Sequence, residues 1–136
     1  MFLEVADDLA SLGGPGHLRS AVSRAYYAVY HAATMASRQL GASPSHSHDE
    51  IGNRFRTCDD PVISSIGQRF LDPKSARQRA DYKLRRPVDV EDAAFVKVQL
   101  LEARELLAVF EDLPTGGRRE AAQRAVRAYD ARARGR

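Results

Sequence analysis

A single cysteine, Cys58, stands in 136 residues, which excludes an internal disulfide and fits a reducing compartment. No apolar run approaches the ~20 residues of a membrane span. The opening MFLEVADDLASL carries acids where a secretion signal has a basic and then an apolar segment. The expected location is therefore the cytoplasm, with no membrane partner. Catalytic motifs are scarce as well. There is no Glu-x-x-His pair of the di-iron type, no Cys-x-x-Cys and no Gly-x-x-x-x-Gly-Lys loop. Ser64-Ser65 has no nucleophile elbow around it. His46 and His48 stand beside Asp49 and Glu50, but a metal site needs more ligands than this segment offers. Neither a metal nor a cofactor is expected.

What is present is the composition of one globular domain. Hydrophobic residues make up 43% and charged residues 29%, and 136 residues suffice for one real core but not two. The net charge of +3 is unevenly spread. Residues 117–136 hold seven Arg against Glu120 and Asp130, a net of +5, while the rest of the chain has 14 basic and 16 acidic side chains. Such a basic end binds phosphate backbones or is simply a solvated terminus.

Apolar spacing reads as helix after helix, with no strand-like alternation and no internal repeat. Phe2, Val5, Ala6, Leu9 and Leu12 form a first stripe, and Gly13–Gly16 interrupts it. A long helix from about His17 to Leu40 buries Leu18, Val22, Ala25, Val29, Ala32 and Ala36. Gly41–Ser45 breaks it. Ser47 caps a short third helix with Ile51 and Phe55 inward. Asp59-Asp60-Pro61 starts another, with Val62, Ile63, Ile66 and Phe70 on its apolar side and an end near Asp72-Pro73. A further segment runs from Pro73 to Leu84, and Pro87 closes it. Asp89, with Asp92 three residues on, caps a last long helix with the stripe Val96, Leu100, Ala103, Leu107 and Phe110. The expected fold is an all-α bundle. A basic Arg/Ala-rich helix or tail follows over residues 114–136.

The long second helix also has a polar side. Arg24 and His31 are seven apart, about 20° short of two full turns, so they share a face roughly 10 Å apart along the axis. Ser20, Tyr27, Ala28 and Met35 fall near the same line. Tyr26 and Tyr30 lie between the two faces, as packing residues whose hydroxyls reach the rim.

Three segments together carry a resemblance. Ser23-Arg-Ala-Tyr-Tyr-Ala-Val-Tyr-His-Ala-Ala33 resembles the signature helix of the HEPN superfamily of small helical bundles. His48-x-x-Ile51-x-x-x-Phe55 resembles that group's His-led third helix, and Arg77-x-x-Ala-Asp81-Tyr82 its Arg-x-x-Ala-Asp-Tyr motif. The similarity spans about residues 1–113. It implies an antiparallel up-and-down bundle of about four or five helices over residues 1–113, commonly a homodimer, and many such proteins are metal-independent ribonucleases, often toxins or defence effectors. Some pair with a nucleotidyltransferase antitoxin. Their signature, an Arg followed after four to six residues by a His, is met by Arg24 and His31 at its longest spacing. The position after the Arg, often polar in active members, is Ala25.

On this reading His31 is the general base or acid that moves the 2′-OH proton of RNA, and Arg24 clamps the phosphate. Tyr27 hydrogen-bonds a phosphate or stacks on a base, and His48, Arg77, Asp81 and Tyr82 complete the substrate-binding set. The competing reading keeps the same residues structural. Arg24 then pairs with Asp81, His31 is an ordinary interhelical histidine, and Arg77–Asp81 is an i,i+4 ion pair. The protein is in that case a non-catalytic module binding a nucleotide or a nucleotidyltransferase partner.

Overall fold

The structure, a computed structural model, describes residues 2–12, 15–44, 47–83 and 90–135. Side chains are described for these except at positions 2, 3, 9, 11, 12, 15, 16, 18, 19, 73–83 and 90–93. The bundle is built around the second helix. Val22, Ala25, Val29, Ala32 and Ala36 of the predicted stripe are buried, while the Leu18 side chain lies outside the described residues. They belong to α2 (Pro15–Gln39), which packs against α1 (Phe2–Leu12) and three further helices. The helix begins two residues before the expected His17. Pro15 takes its first position, where a missing N–H leaves no helical bond unmade.

The end of α2 is a Schellman turn. Gly41 adopts φ 90°, its N–H donates to the Arg38 carbonyl at 3.1 Å, and the Ala42 N–H reaches back to the Ser37 carbonyl at 2.9 Å. That left-handed position is open to glycine at little cost. The chain then turns into α3 (His48–Arg56), whose predicted cap is present: the Ser47 hydroxyl accepts from the Glu50 N–H at 3.3 Å. Asp60 does the same for α4 (Pro61–Lys83), its carboxylate accepting from the N–H groups of Val62 and Ile63.

Helix α4 corrects one expectation. The sequence predicts a break near Asp72-Pro73 and two helices, whereas one helix runs through Pro73 to Lys83. Proline removes one ladder donor, here to the Arg69 carbonyl, but its fixed φ is itself helical. In the same turn the His48 ring donates to the next carbonyl, that of Phe70, at 3.0 Å, which ties α3 to α4 there. Packing of α4 on α2, α3 and α5 (Val90–Asp112) offsets the remaining cost. Leu84, Pro87 and Asp89, with the predicted stop and cap, lie outside the described residues, as does the Asp92 side chain.

Two predicted inward residues, Val5 and Val62, are exposed, at 37% and 39%. Each sits at the edge of its stripe, with Ala6 and Ile63 taking the fully buried place beside it. On α5 the seam runs Val96, Leu100, Ala103, Leu106 and Phe110, with Leu107 only partly buried. The helix contacts α1, α2 and α4, so its buried arc is wider than a two-helix seam. Leu106 faces Val22, Ala25 and Val29 of α2 beside Ala103. At the bottom of the core Phe55, Phe70 and Phe110 interlock, with ring centroids 5.4 and 5.6 Å apart.

The basic segment is a helix, α6 (Arg119–Arg134), packed on α3. Ala122, Ala125 and Val126 join the same apolar core as the other helices. Cys58, in the turn after α3, is buried against it, with Sγ 3.5 Å from the Ala121 carbonyl. Burial pushes the Cys58 thiol pKa up, so it is not an activated nucleophile.

Close approach of α3 and α4 depends on Gly67. A methyl there would meet the backbone of Phe55 and Arg56, with the Arg56 Cα at 2.8 Å. Gly67→Ala is expected to lower stability by about 1–3 kcal/mol, the usual cost of overpacking. A urea unfolding midpoint equal to that of the parent protein would show that the two helices have room to separate.

Candidate functional site

Because α2 is covered by α1, α3, α4 and α5, only one side of it reaches solvent. Ser20, Arg24, Tyr27, His31 and Met35 line that side and are all exposed, Tyr27 at 52%. The seven-residue spacing therefore does place Arg24 and His31 together on a free face. Ala28, predicted on the same line, is buried at 8%. It lies ~40° round from Arg24 towards the core stripe, which is enough to carry it under a neighbouring helix.

Tyr27 is held by rings rather than by helix packing alone. Tyr26 meets it edge-on at 5.5 Å, and Tyr26 itself stacks on Tyr30 at 6.3 Å and on His48 at 5.7 Å. The His48 ring stacks in turn on Phe70 at 4.5 Å. A column of rings thus runs from solvent through half-buried Tyr26 to the phenylalanine core. Aromatic pairs in such offset and edge contacts each add roughly 0.5–1.5 kcal/mol beyond their burial. They fix the rotation of α2, and with it the direction in which its polar face points.

His48 sits behind that face, not on it. Its side chain is 8% exposed, its Nε2–H donates to the Phe70 carbonyl, and its Nδ1 lies 3.5 Å from the exposed Asp49 carboxylate. The carbonyl can only accept, which sets the proton on Nε2. In this position His48 braces α3 against α4. Arg77, Asp81 and Tyr82 fall on the second half of α4, and their side chains lie outside the described residues, so the Arg24–Asp81 pairing lies there too. His46 is likewise outside them.

Arg24 and His31 have no ion pair among the described residues. An exposed guanidinium and an exposed imidazole two turns apart can both reach a strand laid along the helix. Ser20, Tyr27 and Met35 add no second imidazole beside His31, and His17, exposed on the same line, stands ~21 Å from it along the axis, too far to share one phosphodiester. A complete acid–base pair needs another surface to bring one.

A polar cluster whose pairing has no local signal in the sequence joins α3, α6 and the turn after α2. Arg54 Nε donates to Asp130 Oδ1 at 2.9 Å, with both side chains below 10% exposure, at 3% and 8%. The other Asp130 oxygen accepts from the Ser43 N–H at 2.8 Å, and the Arg54 guanidinium also donates to the Ser43 carbonyl at 3.2 Å. The Tyr129 ring lies 5.8 Å from the guanidinium carbon. Every strong contact of this cluster is internal, so it locks α3, α6 and the turn after α2 rather than binding a ligand. Its only sequence signal is an acid and a base at positions a helical wheel puts on inner faces.

Among the described residues no helix is long and apolar enough to cross a membrane. Comparison with family models, curated proteins and solved structures finds no match to this chain.

Proposed function

We propose that this chain is a metal-independent endoribonuclease of the HEPN type, the toxin or effector of a defence or toxin–antitoxin pair. The observation that carries the reading is the joint exposure of Arg24, Tyr27 and His31 on one face of α2. His31 takes the 2′-OH proton, the resulting alkoxide attacks the adjacent phosphorus, and the 5′ oxygen of the next nucleotide leaves. Arg24 stabilises the charge that builds on the phosphate oxygens, where a preorganised cation acts most strongly. Tyr27 offers a hydroxyl or a ring to the neighbouring nucleotide.

The leaving oxygen needs a proton, and the second copy of a homodimer provides the missing acid as its own His31. The test is a pair of substrates of one sequence in EDTA. RNA is expected to be cut to products ending in a 2′,3′-cyclic phosphate, and the DNA to stay intact because it lacks the nucleophile. Light scattering of the active protein is expected to give twice the chain mass. Cleavage of DNA, or activity in a strictly monomeric sample, would contradict the mechanism.

One feature favours a second reading. Ala25, at the position after the Arg, is 2% exposed and packed in the core, so no polar group stands there to assist Arg24. On that reading the α2 face docks a nucleotide or a nucleotidyltransferase antitoxin without chemistry.

A further inference from the structure

The charge at the end of the chain is concentrated more sharply in the fold than in the sequence. Asp130, one of two acids among residues 117–136, is turned inward to Arg54. Glu120 is left as the only acid against the exposed arginines of α6. Arg118 and Arg124 lean towards Asp60 and Asp59, at 3.6 and 4.0 Å. Arg119, Arg127 and Arg134 have no ion pair among the described residues and are exposed. At ~100° per residue these three fall within about 80° of one another, spaced ~12 and ~10 Å along the axis.

The row is not what holds α6 in place, although Arg134 sits in the last turn, where a cation favours the helix dipole. The inner face of α6, with Ala122, Ala125, Val126 and Asp130, already joins the helix to the core. The three stand ~10–12 Å apart, about a screening length, so each stays available to a separate phosphate. Arg124 and Arg127 also border a shallow recess with Gln123 and Glu120. No aromatic ring stands in the row to stack bases, so its contacts are expected to fall mainly on phosphates.

We propose that the exposed flank of α6 that carries Arg119, Arg127 and Arg134 is a sequence-independent track for the phosphate backbone of single-stranded RNA. It deepens the ribonuclease reading by stating where substrate beyond the cleavage point is held, and it rests on that reading for the choice of RNA. Charge complementarity is the argument: three unpaired cations in line, over ~22 Å of helix, match a polyanion that can lie along them. Removing residues 117–136 would be an unsuitable test, because α6 is part of the core. Substitutions confined to exposed side chains avoid that difficulty.

The experiment measures anisotropy of a labelled ~20-nucleotide oligouridine, titrated with full-length protein from about 50 to about 200 mM salt. The protein carries His31→Ala so that the probe stays intact. Adding R119Q, R127Q and R134Q is expected to weaken binding at low salt at least ~10-fold. The slope of log K against log salt should fall by about 2, since each phosphate contact on a single strand contributes about 0.7. Lysine at the same three positions is expected to keep most of the slope, because counterion release needs only the charge. An unchanged slope in the glutamine variant, with its circular dichroism melt also unchanged, would overturn the proposal. So would polyglutamate binding as tight as RNA binding and lost in the same variant, which would make the face a dock for acidic protein. Wild-type protein that binds RNA through α6 yet cuts none would sink the ribonuclease reading and leave the track standing.

Discussion

Asp130→Ala is expected to lower the free energy of unfolding by about 3–5 kcal/mol, and Arg54→Ala by a similar amount, because each leaves its partner charged and buried. The two side chains are 3% and 8% exposed and joined at 2.9 Å, so solvent does little to screen the loss. Asp130→Ala also strips the Ser43 N–H of its acceptor, while Arg54→Ala removes the donor to the Ser43 carbonyl. The turn after α2 should loosen along with α6. Urea unfolding of both single variants and of Arg54→Met with Asp130→Leu separates the contributions. The double variant is expected to lose less than the sum of the singles, since no lone charge remains. A loss below about 1 kcal/mol in either single variant would mean that α6 is held by Ala122, Ala125 and Val126 alone.

The second large effect concerns chemistry and should leave stability untouched. His31→Ala and Arg24→Ala are each expected to slow RNA cleavage by ~10²-fold or more, the scale of a lost proton-transfer group or charge stabiliser. Both residues are exposed and neither has an ion pair among the described residues. Exposed substitutions of this kind usually move stability by less than about 0.5 kcal/mol. Their unfolding midpoints and dimer mass should therefore match the parent protein, which separates a catalytic from a structural role. Arg24→Lys is expected to recover part of the rate, because it keeps the charge and loses the bidentate fork. Tyr26→Ala provides the contrast. It breaks the ring column between Tyr27 and His48, so both stability and activity should fall together.

Much of the fold was legible because it is local. The stripe on α2, the Ser47 cap and the Asp60 start are each set by residues within a few positions of one another. What escaped is non-local. Helix α4 passes through Pro73 while packed on α2, α3 and α5, and no local signal announces those contacts. Leu106 rather than Leu107 fills the seam because α5 is flanked by three helices, which periodicity cannot count. Arg54 and Asp130 stand 76 residues apart, and nothing near either announces the other.

The candidate site divides in the same way. The common face of Arg24, Tyr27 and His31 follows from helical spacing alone, and the structure leaves it open to solvent. His48 reads from sequence as one more polar member of the set, yet its ring lies inside the stack between Tyr26 and Phe70. A histidine that begins a helix is placed by what packs against it, and that partner lies on another helix.

The most direct test of the central claim is a single-turnover rate on one RNA in EDTA, for wild-type protein and for folded, dimeric His31→Ala side by side. The expected result is cleavage by the wild type to a 2′,3′-cyclic phosphate end, with a rate at least ~10²-fold lower in the variant. Equal rates in the two proteins, or no cleavage by the correctly assembled wild type, would contradict the claim.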